Sequence, residues 1–213
     1  MEFTLLFAAA LAVMAGAGAL RWEAARGNAV DCAANLWDVF LGAGVTGLFV
    51  GRLAAMVASG VNPVTSPGDI LIVRGGVATG LATVAAIGAV VVLGRREARL
   101  VADSLAVAAL AALAGWHAGC LARDACLGTP TDLPWAMTQE GSSVGRHPVE
   151  LYAAALLLAA AIVLAWRRRR SLPVGVATGY ALLVAAAVRL ITEPLRPALG
   201  AGPTPWYIAG VLA

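Results

Sequence analysis

The stretch GRHPVELY (Gly145–Tyr152) places four side chains capable of chemistry directly before a long apolar run. They are Arg146, His147, Glu150 and Tyr152. A second histidine, His117, lies near the end of another apolar run, in LAGWHAGC. Histidine exchanges protons near neutral pH, and the planar guanidinium of arginine binds phosphate oxygens in pairs. The combination is suited to acid–base chemistry on a phosphate-bearing substrate.

Each of these side chains also has a structural interpretation. His147 precedes Pro148, a residue type favoured in the first helical turn, and His117 suits a buried histidine with satisfied hydrogen bonds. Tyr152 fits the aromatic belt at a membrane surface, and Glu150 fits the first turn of a helix, where the dipole favours an acid. The residue types alone leave both interpretations open.

Two arginines interrupt apolar runs: Arg52 in GLFVGRLAAMV and Arg189 in LLVAAAVRLITEP. Ionisable groups at such depth in a membrane are costly and usually face a bundle interior or a wet cavity. The alternative is that their long side chains snorkel to the headgroups. Glu193 follows Arg189 by one helical turn and can pair with it, and Arg196 comes three residues later.

The elements that must position these side chains are membrane helices. Of the 213 residues, 61% are hydrophobic and 13% are charged, and the mean hydropathy is +0.84, far from a soluble domain. Six apolar stretches are long enough to cross a bilayer, at about 3–20, 37–58, 75–94, 100–121, 149–166 and 173–192. A partial seventh begins at Trp206. We therefore predict an all-α fold, a polytopic membrane helix bundle of about six to seven transmembrane helices in a single domain, residues 1–213.

The cysteines and the net charge exclude several kinds of partner. Cys32, Cys120 and Cys126 match no zinc spacing, so neither a metal site nor a cofactor is expected. A disulfide between Cys120 and Cys126 is conceivable, but two small buried thiols are the preferred interpretation. A net charge of +3, spread over a membrane protein, indicates no nucleic-acid partner.

The distribution of arginine sets the orientation, since all 15 basic residues are arginine. Nine of them fall in the first, third and fifth connections between the spans: Arg21, Arg26, Arg95, Arg96, Arg99 and Arg167–Arg170. The positive-inside rule makes that side cytoplasmic and puts the N-terminus outside. The run Arg167–Arg170 is then expected to be a cytoplasmic anchor with attraction to anionic lipid.

The other six arginines share the outer side of the membrane. They are Arg52, Arg74, Arg123, Arg146, Arg189 and Arg196. Their convergence on one leaflet predicts an anion site, and the anion available there is a phospholipid phosphate.

Two motifs in sequence order carry a resemblance to a known family. GTPTDLPW (Gly128–Trp135), followed by RHPVELY (Arg146–Tyr152), resembles the signature of the prolipoprotein diacylglyceryl transferases, which is close to G-x-P-T-D-L-P-W and then R-H-P-S-Q-L-Y-E. GRLAAMV (Gly51–Val57) and RLITEPLR (Arg189–Arg196) are similar to two further stretches of that family. The resemblance runs from about residue 38 to 197 and implies seven spans with the N-terminus outside.

Departures from the family pattern fall on positions that the resemblance makes functional. RGGVATG puts Arg74 where the family has the histidine of H-G-G, and HAGC puts His117 where it has an arginine. Val149 and Glu150 stand where Ser and Gln are usual. Two interpretations stay open: the exchange keeps one base and one cation in a single cavity, or it marks a catalytically degenerate relative that acts as a lipid-binding accessory membrane subunit.

The resemblance implies transfer of a diacylglyceryl group from phosphatidylglycerol to the lipobox cysteine thiol of prolipoproteins, at the outer face of the bacterial plasma membrane. The implied partners are that anionic phospholipid and the prolipoprotein signal peptide, with a membrane-complex partner in the accessory alternative. The candidate catalytic residues are His117, Arg74, Arg146, His147 and Tyr152. The candidate lipid-phosphate-binding residues are Arg52, Arg146, Arg189, Glu193 and Arg196.

Overall fold

The computed structural model describes residues 4–28, 33–71, 76–123, 127–139, 141–168, 172–197 and 208. The described α-helices are α1 (Thr4–Ala25), α2 (Leu36–Ala58), α3 (Gly68–Leu71), α4 (Thr79–Gly94), α5 (Ala98–Ala118), α6 (Val149–Arg167) and α7 (Val176–Thr192). Short 3-10 segments cover Arg95–Glu97, Gly119–Arg123 and Glu193–Leu195. Three short strands, β1 (Leu127–Pro130), β2 (Met137–Thr138) and β3 (Gly145–Pro148), lie between α5 and α6.

Five segments of the described chain are long and apolar enough to cross a membrane: Leu6–Ala25, Leu36–Ala58, Thr79–Leu121, Val149–Arg167 and Val176–Leu195. The count is lower than the predicted six because Thr79–Leu121 holds both α4 and α5. Arg95, at a φ of 50°, separates those two helices, since a positive φ cannot continue a right-handed helix. The protein is thus a mostly helical bundle of membrane type. Of the predicted partial seventh span, only Ile208 is described.

α5 is the central helix and packs against α1, α4, α6 and α7. Its inner face joins a core of small and branched side chains that includes Leu110, Leu157 of α6 and Val188 of α7. Gly115 and Gly119 let α1 approach this helix closely: a Cβ on Gly115 would lie 2.5 Å from the Leu11 carbonyl oxygen. Such small-residue spacing is the usual way for membrane helices to come into close contact. The close contact of α1 with Gly115 and Gly119 holds in place the end of α5 that carries His117.

A buried arginine side chain joins α1, α5 and α6 at the opposite end of the bundle. The Arg168 guanidinium donates to the carbonyl of Asp103, at 2.7 Å, and to that of Asn28, at 2.8 Å. Its Nη1 lies 3.8 Å from Oε2 of Glu23, whose side chain is only 1% exposed. α1 consequently continues to Ala25, beyond the predicted end at residue 20.

The start of α7 belongs to the same network. The Asp103 carboxylate accepts hydrogen bonds from the backbone N–H of Gly175, at 2.5 Å, and of Thr178, at 2.8 Å. A carboxylate in that place satisfies helix N–H groups and suits the positive end of the helix dipole. Gly175 has a φ of 95°, so α7 begins at Val176 rather than at the predicted residue 173.

The cytoplasmic anchor expected of Arg167–Arg170 stays a prediction, but Arg168 lies within the bundle. Its side chain is 8% exposed, whereas the neighbouring Arg167 is exposed. The difference follows from helical geometry, because adjacent residues point about 100° apart around a helix.

Replacing Arg168 with alanine should lower the free energy of unfolding by about 3 kcal/mol, because it leaves the buried Glu23 carboxylate without its cation. Arg167→Ala is the matched control, since that side chain is exposed. The measurement is thermal unfolding of both variants in the same detergent. Equal, small effects of the two substitutions would contradict the buried network.

Candidate functional site

The connection between α5 and α6 folds into a small antiparallel sheet in the order β1-β3-β2. Pro130 pairs with Arg146 across β1 and β3, and Met137 pairs with Arg146 across β2 and β3. β3 is therefore the central strand, and it runs directly into α6. The all-α prediction missed this sheet, which positions the RHP part of the motif at the start of α6.

Gly128 brings β1 against the segment that follows α7. A Cβ at this position would overlap the carbonyl oxygen of Leu195 and the side chain of Val149. Only glycine fits such a close approach of two backbones. GTPTDLPW and RLITEPLR, far apart in sequence, are thereby held together.

His117 lies in a connected series of ionisable side chains that this packing assembles. Its Nδ1 is 2.5 Å from Oε2 of Glu150, and Oε1 of Glu150 is 2.6 Å from Nη1 of Arg196. Nε of Arg196 lies 3.8 Å from Oε2 of Glu193. The four residues come from the end of α5, the start of α6 and the segment after α7. Histidine, two carboxylates and a guanidinium thus alternate in one connected cluster.

The cluster is largely shielded from solvent. His117 is 9% exposed, and the side chains of Glu150 and Arg196 are 18% and 21% exposed. Both Glu150 oxygens have partners, whereas the buried Nη2 of Arg196 has no hydrogen-bond partner within the described residues. Buried polar atoms are normally paired, so this nitrogen is a donor suited to an anionic ligand.

Tyr152 joins the two halves of the sequence signature. Its hydroxyl accepts a hydrogen bond from Nε1 of Trp135 at 2.8 Å and lies 3.4 Å from Nδ1 of His147. The His147 and Tyr152 rings meet edge to face, with centroids 6.1 Å apart. Trp135 is exposed, and Tyr152 follows Glu150 by two residues in α6, so the side chains of Tyr152 and Glu150 point to different faces of that helix.

The predicted phosphate-binding arginines occupy different surroundings. Nη1 of Arg146 donates to the Gly128 carbonyl at 3.1 Å and ties β3 to β1. Arg189 is partly buried in the last turn of α7, one turn before Glu193. Arg74 lies outside the described residues.

Arg52 anchors a backbone connection. Its Nη1 donates to the carbonyl of Gly76 at 3.1 Å and its Nη2 to that of Asp69 at 2.6 Å. The side chain is 5% exposed, so it is a bundle-interior arginine rather than a snorkelling one. These hydrogen bonds hold the chain between α2 and α4, and phosphate binding by Arg52 stays a prediction.

Cys120, at the same end of α5 as His117, is disulfide-bonded. The expectation of a reduced thiol is therefore wrong for this residue. Cys32 and Cys126 both lie outside the described residues. Within the part of the chain that the structure describes, no group of three or more His, Cys, Asp or Glu side chains is placed to hold a metal ion.

A cationic cavity of about 440 Å³ lies elsewhere in the bundle. It is lined by Arg95, Arg96, Glu97, Ala98, Arg99, Leu100 and Val174. These residues surround the start of α5, and 18 residues of helix, about 27 Å, separate Arg99 from His117. The cavity is therefore not part of the His117 cluster.

Sequence reasoning missed three residues that build the site. Glu150 is among the side chains capable of chemistry, but the sequence leaves its role open and does not place it among the candidate site residues, and Gly128 and Trp135 are noted there only as part of the GTPTDLPW motif. A signal for Glu150 was present, because it departs from the family pattern just as its partner His117 does. No local signal marks Gly128, since its neighbour Leu195 is 67 residues away along the chain.

Comparison with known proteins identifies the family of the chain. The family model for prolipoprotein diacylglyceryl transferase matches residues 3–212. A phosphatidylglycerol–prolipoprotein diacylglyceryl transferase of Cupriavidus metallidurans is 33% identical over 105 residues, which are 48% of this chain and 39% of that protein. The aligned part thus spans well under half of that relative. Because the family match extends over nearly the whole sequence, the chain belongs to the prolipoprotein diacylglyceryl transferase family.

Proposed function

We propose that the protein transfers a diacylglyceryl group from phosphatidylglycerol to the lipobox cysteine thiol of prolipoproteins. The single observation that carries the proposal is the contact of His117 with Glu150, whose other oxygen is ion-paired with Arg196. These contacts join a proton acceptor to a cation, Arg196, whose Nη2 has no hydrogen-bond partner among the residues that the structure describes. Thiol alkylation with a phosphate leaving group requires both.

The proposed location is the outer face of the bacterial plasma membrane, in a bundle of six to seven spans with the N-terminus outside. The arginine-rich connections lie at the end of the bundle held by Arg168, which is the cytoplasmic side by the positive-inside rule. The disulfide at Cys120 supports the same orientation from the other end. Disulfides persist in oxidising compartments such as the periplasm and are rare in the cytosol.

In the proposed reaction, His117 takes the proton of the substrate thiol. The thiolate sulfur then attacks the carbon of the diacylglyceryl unit that bears the phosphate ester. A carbon–sulfur bond forms, the carbon–oxygen bond breaks, and glycerol phosphate leaves with the electron pair. The product is a thioether that carries the diacylglyceryl group.

The arginines stabilise the negative charge of the phosphate as it departs. Arg146 donates to the Gly128 carbonyl, and Arg196 follows Leu195, whose carbonyl lies against Gly128. Glu193 lies beside Arg196 and can orient it. The other arginines proposed to bind the phosphate are Arg189, Arg52 and Arg74. His147 and Tyr152, joined to the exposed Trp135, are proposed to contact the reacting groups where the signal peptide enters.

A lipid-binding accessory subunit, working with a membrane-complex partner, would need the arginines alone. The contact between His117 and Glu150 at 2.5 Å adds a proton acceptor that the transfer reaction uses and that lipid binding does not need. That contact favours the enzyme.

The proposal is tested with purified protein in phosphatidylglycerol vesicles and a lipobox peptide. The expected result is a peptide whose mass rises by one diacylglyceryl group, together with growth of a transferase-depleted bacterium that expresses the protein. No thiol alkylation with any anionic lipid, in membranes where an authentic transferase works, would defeat the proposal. Retained lipid binding would then favour the accessory subunit.

Arg146→Ala and Arg189→Ala should each weaken phosphatidylglycerol binding by about 1.5–3 kcal/mol, the magnitude for a hydrogen bond to a charged group. Isothermal titration in detergent measures the change, roughly 10- to 100-fold in Kd. Arg167→Ala is the control, because that side chain is exposed at the other end of the bundle. Equal weakening by all three would indicate general electrostatic attraction instead of a site.

A further inference from the structure

Glu150 contacts His117 and Arg196 with different oxygens. Oε2 lies 2.5 Å from the His117 ring nitrogen, and Oε1 lies 2.6 Å from the Arg196 guanidinium. A carboxylate held at both oxygens cannot rotate without losing one contact. Glu150 therefore has a fixed direction, and that direction is toward Nδ1 of the imidazole.

A fixed acceptor selects the form of the imidazole. A neutral histidine carries one N–H and one bare nitrogen, and an ionised carboxylate only accepts hydrogen bonds. Nδ1 must then carry the hydrogen that it donates to Glu150. Nε2 is left bare and can accept the proton of an incoming thiol, as when a carboxylate orients a catalytic histidine.

The two partners are also among the positions where the sequence departs from the family pattern that it resembles. His117 stands at an arginine position and Glu150 at a glutamine position of the family pattern. A histidine at position 117 beside a glutamine at position 150 would have no fixed tautomer, because the amide can donate or accept a hydrogen bond. His117 and Glu150 together form a donor and an acceptor at 2.5 Å. The departures are therefore one coupled change.

We propose that Glu150 is a positioning residue that fixes the tautomer and orientation of His117, and that the two replace the family's arginine and glutamine as a pair. The inference rests on the proposed function for the role of His117. Arg196 serves the same arrangement by holding the second oxygen of Glu150. Catalysis in this chain thus depends on an acid that the family signature does not contain.

The test compares Glu150→Gln with Asp38→Asn in the full-length protein. Asp38 is also a first-turn acid, but it is exposed at the start of α2, so it controls for the loss of a helix-dipole interaction. Glu150→Gln should lower kcat about 10²- to 10⁴-fold and leave the KM for phosphatidylglycerol within about threefold. Glu150→Asp, which keeps the carboxylate, should recover part of kcat. Asp38→Asn should behave as wild type.

Nitrogen-15 spectra of labelled histidine give a readout that does not depend on activity. The chain has two histidines, and a His147→Gln background leaves the His117 signals alone. In this background, His117 should carry its hydrogen on Nδ1, and the further substitution Glu150→Gln should shift that hydrogen toward Nε2. An unchanged tautomer in Glu150→Gln, or a loss of kcat that merely follows lost thermal stability, would overturn the positioning role. Wild-type protein with the Nδ1 tautomer but no transferase activity would instead defeat the proposed function and leave the Glu150 arrangement standing.

Discussion

Replacing His117 with alanine should abolish thiol alkylation while phosphatidylglycerol still binds. His117 is the histidine of the cluster, the residue type suited to taking a proton near neutral pH, and Arg196 and Glu150 remain paired without it. General base catalysis contributes about 10²- to 10⁴-fold, so the residual rate should fall to about 1% or less. Single-turnover alkylation of a lipobox peptide measures the rate, and lipid titration measures binding.

Two further measurements separate the base from a structural role of His117. His117→Gln keeps a donor for Glu150 but has no basic nitrogen, so it should be as inactive as the alanine variant. The alanine variant should regain rate as the pH rises toward about 8.5, the ordinary pKa of a cysteine thiol, because the substrate then ionises without help. An active glutamine variant, or a flat pH profile for the alanine variant, would contradict the proposed base.

The sequence was sufficient for the bundle and for the residue types of the site. Apolar stretches near 20 residues long predict helices without any tertiary information, and α2 and α6 begin and end within a residue of their predicted limits. The sheet was not predictable in this way. Its strands have four, two and four residues, too short for a periodic pattern.

The contacts within the site depend on tertiary packing. His117 reaches Glu150 because α5 and α6 pack together, and Arg196 reaches Glu150 because β1 holds the segment after α7. No spacing in the sequence encodes these distances. Arg167 and Arg168 show the same limit on a smaller scale, since one is exposed and its neighbour is buried in a charged network.

Gly128→Ala should cost about as much activity as the loss of a catalytic group, although the residue carries no chemistry. The added methyl group would overlap the carbonyl oxygen of Leu195, which lies between Glu193 and Arg196. Backbone cannot yield as a side-chain tip does, so the segment after α7 must move and take Arg196 away from Glu150. A displacement of about 1 Å in a catalytic site costs roughly 100-fold in rate. Alkylation rate and lipid affinity should therefore both fall.

Gly179→Ala is the matched control for this substitution, because a Cβ there meets no atom within 4 Å and alanine favours a helix. It should leave the rate and the thermal stability at or above wild type.

The double variant Gly128→Ala with Val149→Ala removes the side chain that the new methyl group would also overlap. It should stay inactive, because the Leu195 carbonyl still blocks the methyl group. Recovery of the double variant would mean that Val149 alone is displaced, and wild-type activity of Gly128→Ala would show that β1 does not hold Arg196 in place. Persistent inactivity in a protein that unfolds at the wild-type temperature is the result expected if the GTPTDLPW strand assembles the His117–Glu150–Arg196 cluster.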